Sequence, residues 1–153
     1  MIPDFPNLEE TDKIEFFAEH IDFQIQEEAG IQQWISKVIE IEDFQLTKLS
    51  FIFCSDEYLH EINLKHLNHD TYTDIITFPY SEVKIEGDIF ISIDRVKENA
   101  KQFKTSFEDE FCRVVIHGVL HLCGYRDKTP AEKALMRAKE EDCLALRKQS
   151  FIS

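Results

Sequence analysis

One segment limits the folds open to this chain more than any other. From Phe107 to Cys123 the sequence is spaced as a helix, and Val114, Val115, Ile116, Val119, Leu120 and Leu122 make it apolar almost all round. Such a helix must be buried, so other elements have to cover it from several directions. His117 and His121 are set into that apolar surface. Residues four apart on a helix share a face, and the two imidazoles therefore project side by side toward one point. Gly124 suits the left-handed conformation that ends a helix, which turns the chain back and brings Asp127 toward the same point. A single histidine here would be explained as a hydrogen-bonded core residue. The spaced pair, followed by a turn glycine and a carboxylate, points to a metal site of His117, His121 and Asp127.

Two imidazoles and a carboxylate form a catalytic zinc set whose fourth position stays open. Structural zinc sites close with four ligands, usually including cysteine, and Cys123 falls on another side of the helix. In the His-Glu-x-x-His motif of zinc peptidases the glutamate is the general base, and here Gly118 takes its place. Peptide hydrolysis by that route loses its base. Glu110, two turns before His117, is a candidate replacement, although the helix dipole by itself favours an acid in a first turn.

The other elements are also legible. Residues 21–26 alternate apolar and polar as a half-buried strand, and Ile31–Glu42 carries one apolar stripe of Ile31, Trp34, Ile35, Val38 and Ile39. Leu49–Cys54 reads as a strand, with Ser55 capping a helix from Asp56 to about Asn68. Strands are expected at Asp74–Phe78 and Asp88–Ile93, joined by a hairpin across residues 79–87. Asp94 is the expected cap of a short helix to Phe103, and Thr105, Ser106 and Asp109 offer a start for the helix at Phe107. Thr129, Pro130 and Glu132 form a capping box that opens the last helix. The order βαβαββααα predicts an α+β fold: a small mixed sheet packed with helices around the buried, metal-binding central helix.

At 153 residues and 43 % hydrophobic content, residues 1–153 are expected to form one domain with one core. Neither a secretory leader nor a run of about 20 apolar residues is present, so a soluble, cytoplasmic protein without membrane association is expected. Cys54, Cys112, Cys123 and Cys143 contain no Cys-x-x-Cys pair and are read as reduced, buried thiols. The net charge of −13 argues against a nucleic-acid partner, because attraction to phosphate drives most nonspecific binding. Its distribution weakens that objection, since residues 1–45 hold 12 acids against Lys13 and Lys37. The other 18 acids face 15 bases, which leaves room for a basic face. The acidic first segment is read first as a solvated face.

The metal segment resembles the signature of the YbeY family of bacterial rRNA maturation factors, His-Gly-x-Leu-His-Leu-x-Gly-Tyr-Asp-His, through His117, Gly118, Leu120, His121, Leu122, Gly124 and Tyr125. The likeness extends to Glu61-Ile-Asn63, to Thr73-Asp-Ile-Ile-Thr-Phe-Pro79 and to Gly87-Asp88-Ile89 with Ile91 and Ser92. It implies an α+β fold, one zinc ion held by three side chains, and single-strand-specific endoribonuclease activity on ribosomal RNA, with basic ribosomal proteins as candidate partners that the acidic first segment would meet only if it is more than a solvated face. Two departures matter. Asp127 replaces the family's third histidine, which keeps a His-His-carboxylate set but loosens the identity of the metal to zinc or another divalent ion. Leu67 stands where the family has an arginine. If that arginine holds phosphate, another cation must serve, and His66, His69, Arg126 and Lys128 are the candidate substrate contacts. The readings left open are a nuclease using water or the ribose hydroxyl, a ribosome-assembly factor with a structural metal, and a zinc peptidase.

Overall fold

The computed structural model describes residues 12–69 and 71–150. Four strands, β1 (Ile14–Glu19), β2 (Leu46–Cys54), β3 (Ile75–Pro79) and β4 (Ile85–Ser92), form one sheet in the order β1-β2-β4-β3. β1 and β4 both run parallel to β2, while β3 pairs antiparallel with β4. Among the described residues five helices accompany them: α1 (Glu28–Ile41), α2 (Asp56–Leu67), α3 (Ile93–Gln102), α4 (Phe107–Leu122) and α5 (Pro130–Ser150). The fold is α+β with a mixed sheet, as the element order predicted.

Alternation along the strands sorts the core. On β4, Ile85, Ile89 and Ile91 point into the main cluster, where they meet Phe51 and Phe53 of β2, Trp34 and Ile35 of α1, and Val115, Ile116 and Val119 of α4. Phe90 points the other way, into a smaller cluster of Cys54, Leu59 and Ile76 beneath α2. The main core fixes α4 closely against the sheet. A Cβ on Gly118 would lie 2.8 Å from Ile75 Cδ1 and 3.1 Å from Ile89 Cγ2, so any larger residue would force these side chains to shift. Trp34 Nε1 donates to the Cys143 carbonyl at 2.8 Å and ties α1 to α5 inside the core.

Several boundaries differ from the sequence expectation. Residues 21–26 are not a strand; the first strand is Ile14–Glu19, which occupies the edge of β2 from Leu49 to Cys54. The alternation in 21–26 records burial without pairing. Phe23 packs its ring on Phe53, Phe107 and Phe111 at 5.3, 6.0 and 5.6 Å, and Ile21 and Ile25 rest on the same core from irregular backbone. The cap of α3 is Ser92 rather than Asp94: Ser92 Oγ accepts from Arg95 N at 3.1 Å. Asp94 instead accepts from the backbone N–H of Asp56 at 2.9 Å, joining the starts of α2 and α3. β2 and β4 begin earlier than read, at Leu46 and Ile85, because these residues pair with each other. The opening of α5 follows its capping box, with Glu132 N donating to Thr129 Oγ1 at 3.1 Å and Thr129 N to Glu132 Oε1 at 3.0 Å.

Candidate metal centre

His117 and His121 lie in the last turns of α4, with ring centroids 4.5 Å apart and planes at 87°. The helix ends as its sequence dictates. Cys123 N donates to the Val119 carbonyl, and Gly124 takes φ +100°, a conformation strained for any residue with a side chain. The chain then reverses, and Tyr125 N donates to the Leu120 carbonyl at 3.1 Å. This turn delivers Asp127, whose Oδ2 lies 3.2 Å from both His117 Nε2 and His121 Nε2. Among the described residues these three form the group whose ligand atoms lie close enough together, within 4.8 Å, to hold a metal ion.

The far side of each ring is also engaged. His121 Nδ1 lies 2.9 Å from the Tyr125 carbonyl. His117 Nδ1 lies 2.6 Å from Glu140 Oε2 of α5. Glu140 is buried, and Arg113 reaches its other oxygen at 3.0 Å while also holding Glu141 at 2.6 Å. The Tyr125 hydroxyl donates to Glu42 at 2.6 Å, and Lys139 lies 5.5 Å from the centre of its ring. Both imidazoles thus present Nε2 to the same carboxylate, and their Nδ1 atoms are held from behind.

A cavity of about 280 Å³ opens beside His117 and Asp127, with Asp74, Glu110, Arg113 and Arg137 in its wall. Burial opposes a charge on His117, but the hydrogen bond to Glu140 and the charges of Glu140, Asp127 and Asp74 outweigh it and raise its pKa above that of an ordinary histidine. Burial likewise raises the Asp74 carboxyl, against the opposing charge of His117. Glu110 is raised by burial too, against Arg113. The first-turn acid read from sequence is therefore a buried group on the cavity wall.

The structure brings His117, His121 and Asp127 together and leaves the four candidate substrate contacts outside this cavity. Arg126 and Lys128 are exposed on the loop that carries Asp127. His66 and His69 are exposed at the end of α2, where His66 packs edge-on to Phe78 at 6.1 Å. Leu67, beside them, is 40 % exposed. The cations in the cavity wall are Arg113 and Arg137. Glu140 and Arg137 were not foreseen, yet Glu140 had a signal: with Met136 and Cys143 it makes an i, i+4, i+7 stripe that would be apolar but for one acid. The four cysteines are buried free thiols with pKa values pushed up by burial to about 12.

Fold and site together define a class: an α+β protein whose central helix lies on a mixed sheet and offers a His-x-x-x-His pair, completed by a carboxylate from the following turn, to a single candidate metal position. Comparison with known proteins narrows it. Residues 13–147 match the family described as Endoribonuclease YbeY. Proteins of that name from Cytophaga hutchinsonii and Christiangramia forsetii are 54 % and 52 % identical to the chain, over 92 % and 90 % of its length and 98 % and 96 % of theirs. A solution structure of a Thermotoga maritima protein superposes with a TM-score of 0.66 at 25 % identity, covering 90 % of this chain and 91 % of that one. The chain belongs to the YbeY family.

Proposed function

We propose that this chain is a zinc-dependent endoribonuclease that cuts single-stranded ribosomal RNA in the cytoplasm during rRNA maturation, with residues 1–153 acting as one domain. The observation that carries this reading is the convergence of His117 Nε2 and His121 Nε2 on Asp127 Oδ2, each at 3.2 Å, beside a polar cavity. Membership of a family described as an endoribonuclease supports the choice of RNA. No described helix is long and apolar enough to cross a membrane.

The donor set fits zinc: two nitrogens and one carboxylate oxygen, with no cysteine in the group and a fourth position left to solvent or substrate. When bound, such an ion polarises a phosphodiester oxygen and lowers the pKa of water. The side chains of this chain supply the rest. His117 and His121 direct Nε2 outward from a helix that Gly118 seats closely on the sheet, with their ring centroids 4.5 Å apart. Arg137, exposed at the cavity mouth, and Arg126 and Lys128, on the Asp127 loop, offer positive charge to the phosphate as negative charge grows in the transition state. Attack by water and attack by the ribose hydroxyl both fit this arrangement.

A second reading is a ribosome-assembly factor whose metal only stabilises the fold. Leu67 favours it, because an exposed leucine replaces the arginine that the family resemblance places there. The peptidase reading loses ground, since the position of its glutamate is held by Gly118, which faces Ile75 and Ile89 rather than the cavity. Elemental analysis of tag-free wild type and His121→Ala, followed by cleavage assays on single-stranded RNA, separates the readings. About one zinc per chain and RNA cleavage, both lost in the variant, support the nuclease. Zinc without cleavage supports the assembly factor, and wild type that takes up no metal removes the hydrolytic mechanism.

A further inference from the structure

We propose that Glu140 is a positioning residue of the metal centre: through Nδ1 it holds His117 in one orientation and one tautomer, and Arg113 holds Glu140 in turn. The purpose of this arrangement rests on the metal reading above, but its geometry is a property of the protein alone. A neutral imidazole carries its proton on either nitrogen, and the partner of one nitrogen decides which lone pair the other presents. His117 lies 2.6 Å from Glu140 Oε2 through Nδ1 and 3.2 Å from Asp127 Oδ2 through Nε2. The shorter contact is to a buried carboxylate, where a charge-assisted hydrogen bond is strongest. It draws the proton to Nδ1 and leaves the Nε2 lone pair facing the position shared with His121 and Asp127.

Glu140 has no freedom to do otherwise. It is 5 % exposed on α5, and a buried carboxylate is costly unless both oxygens are satisfied. Oε2 faces His117, and Oε1 accepts from Arg113 at 3.0 Å. Arg113 is pinned in turn by Glu141 at 2.6 Å, so a chain of charged contacts runs Glu141–Arg113–Glu140–His117 from the surface to the metal position. As a device for stability alone this is a poor choice, because buried ion pairs are often no better than well-packed hydrophobic residues. His121 is held differently, by the neutral Tyr125 carbonyl at 2.9 Å. Of the two rings, only His117 therefore has an anion behind it.

The test uses the full chain as wild type, Glu140→Leu and Glu140→Gln. Leucine fills the site without a hydrogen-bond acceptor; glutamine keeps the shape and removes the charge. Imidazole 15N shifts of the metal-free protein, above the titration of His117, report its tautomer. Competition with a chromophoric chelator gives the zinc dissociation constant, and circular dichroism reports folding. Wild type should hold His117 wholly protonated at Nδ1. In Glu140→Leu a mixture of tautomers should appear and zinc should bind roughly 10- to 100-fold more weakly, with a smaller loss in Glu140→Gln. A folded Glu140→Leu with an unchanged tautomer and unchanged zinc constant overturns the proposal. If that variant does not fold, Glu140→Gln decides by the same criteria. Should wild type bind no zinc while the tautomer still shifts, positioning stands and the metal reading falls, so the two fail separately.

Discussion

The α4–turn–α5 region and the C-terminal end of α2 treat their side chains in opposite ways. In the first, His117 and His121 are each held at Nδ1, the turn at Gly124 is set by backbone hydrogen bonds, and Asp127 is delivered to both rings. In the second, His66, Leu67 and His69 stand exposed at the end of α2. The nearby Arg95 is committed to Asp56 at 2.7 Å and lies against the Tyr72 ring. The contrast separates two tasks. Holding an ion requires fixed lone pairs, hence buried supports. An exposed helix end would suit the other task, meeting a flexible polyanion, only where it carries charge that can adapt.

If the first region is the indispensable one, His121→Ala has the largest effect: metal content falls from about one per chain to background, and RNA cleavage falls by roughly 1,000-fold or more. Retained cleavage would break the comparison outright, because the preorganised region would then be dispensable. Gly118→Ala tests whether precision there depends on the seat of α4. Its Cβ meets Ile75 and Ile89 inside 3.2 Å, and urea denaturation should show a loss of about 1–3 kcal/mol.

Leu67→Arg probes the second region. At an exposed site it should change stability by less than about 0.5 kcal/mol, while RNA affinity should rise by roughly threefold to tenfold at low salt and return to the wild-type value at high salt. No gain in affinity, measured by fluorescence anisotropy, would mean that RNA does not pass the end of α2. Glu110→Gln returns to the first region with an effect of similar size. Burial raises the Glu110 pKa above its ordinary 4.5, so the folded state keeps this proton to higher pH than the unfolded chain does. The contribution of the group to stability is therefore greatest below about 4.5, declines as pH rises through the folded value, and is a cost above it. At pH 7.5 the variant should melt roughly 2–4 °C higher, about 1 kcal/mol; at pH 4 the two proteins should melt together.

Strong local signals in the sequence translated directly into structure. The capping box at Thr129–Glu132 and the cap at Ser55 were readable because the atoms that satisfy each other lie within three residues. Strand pairing was less legible. Alternation in residues 21–26 looked like a strand because burial and pairing leave the same pattern; only the register of Ile14–Glu19 against Leu49–Cys54 decides which segment takes the edge of β2. The same division runs through the site. His117, His121 and Asp127 were legible because one helical turn and one glycine turn bring them together without help from the rest of the chain. Glu140, 23 residues beyond His117, and Asp74 and Arg137 in the cavity wall reach the site only through the packing of α5 and β3 around α4.

The sequence by itself determined that α4 is buried, that it carries two imidazoles on one face, and that the chain turns back after Gly124, because period, burial and turn conformation are local properties. Tertiary structure decided which nitrogen of each ring faces the shared position, which buried acid stands behind His117, and which cations reach the cavity. Those are contacts between elements far apart in the chain, and residue spacing carries no record of them.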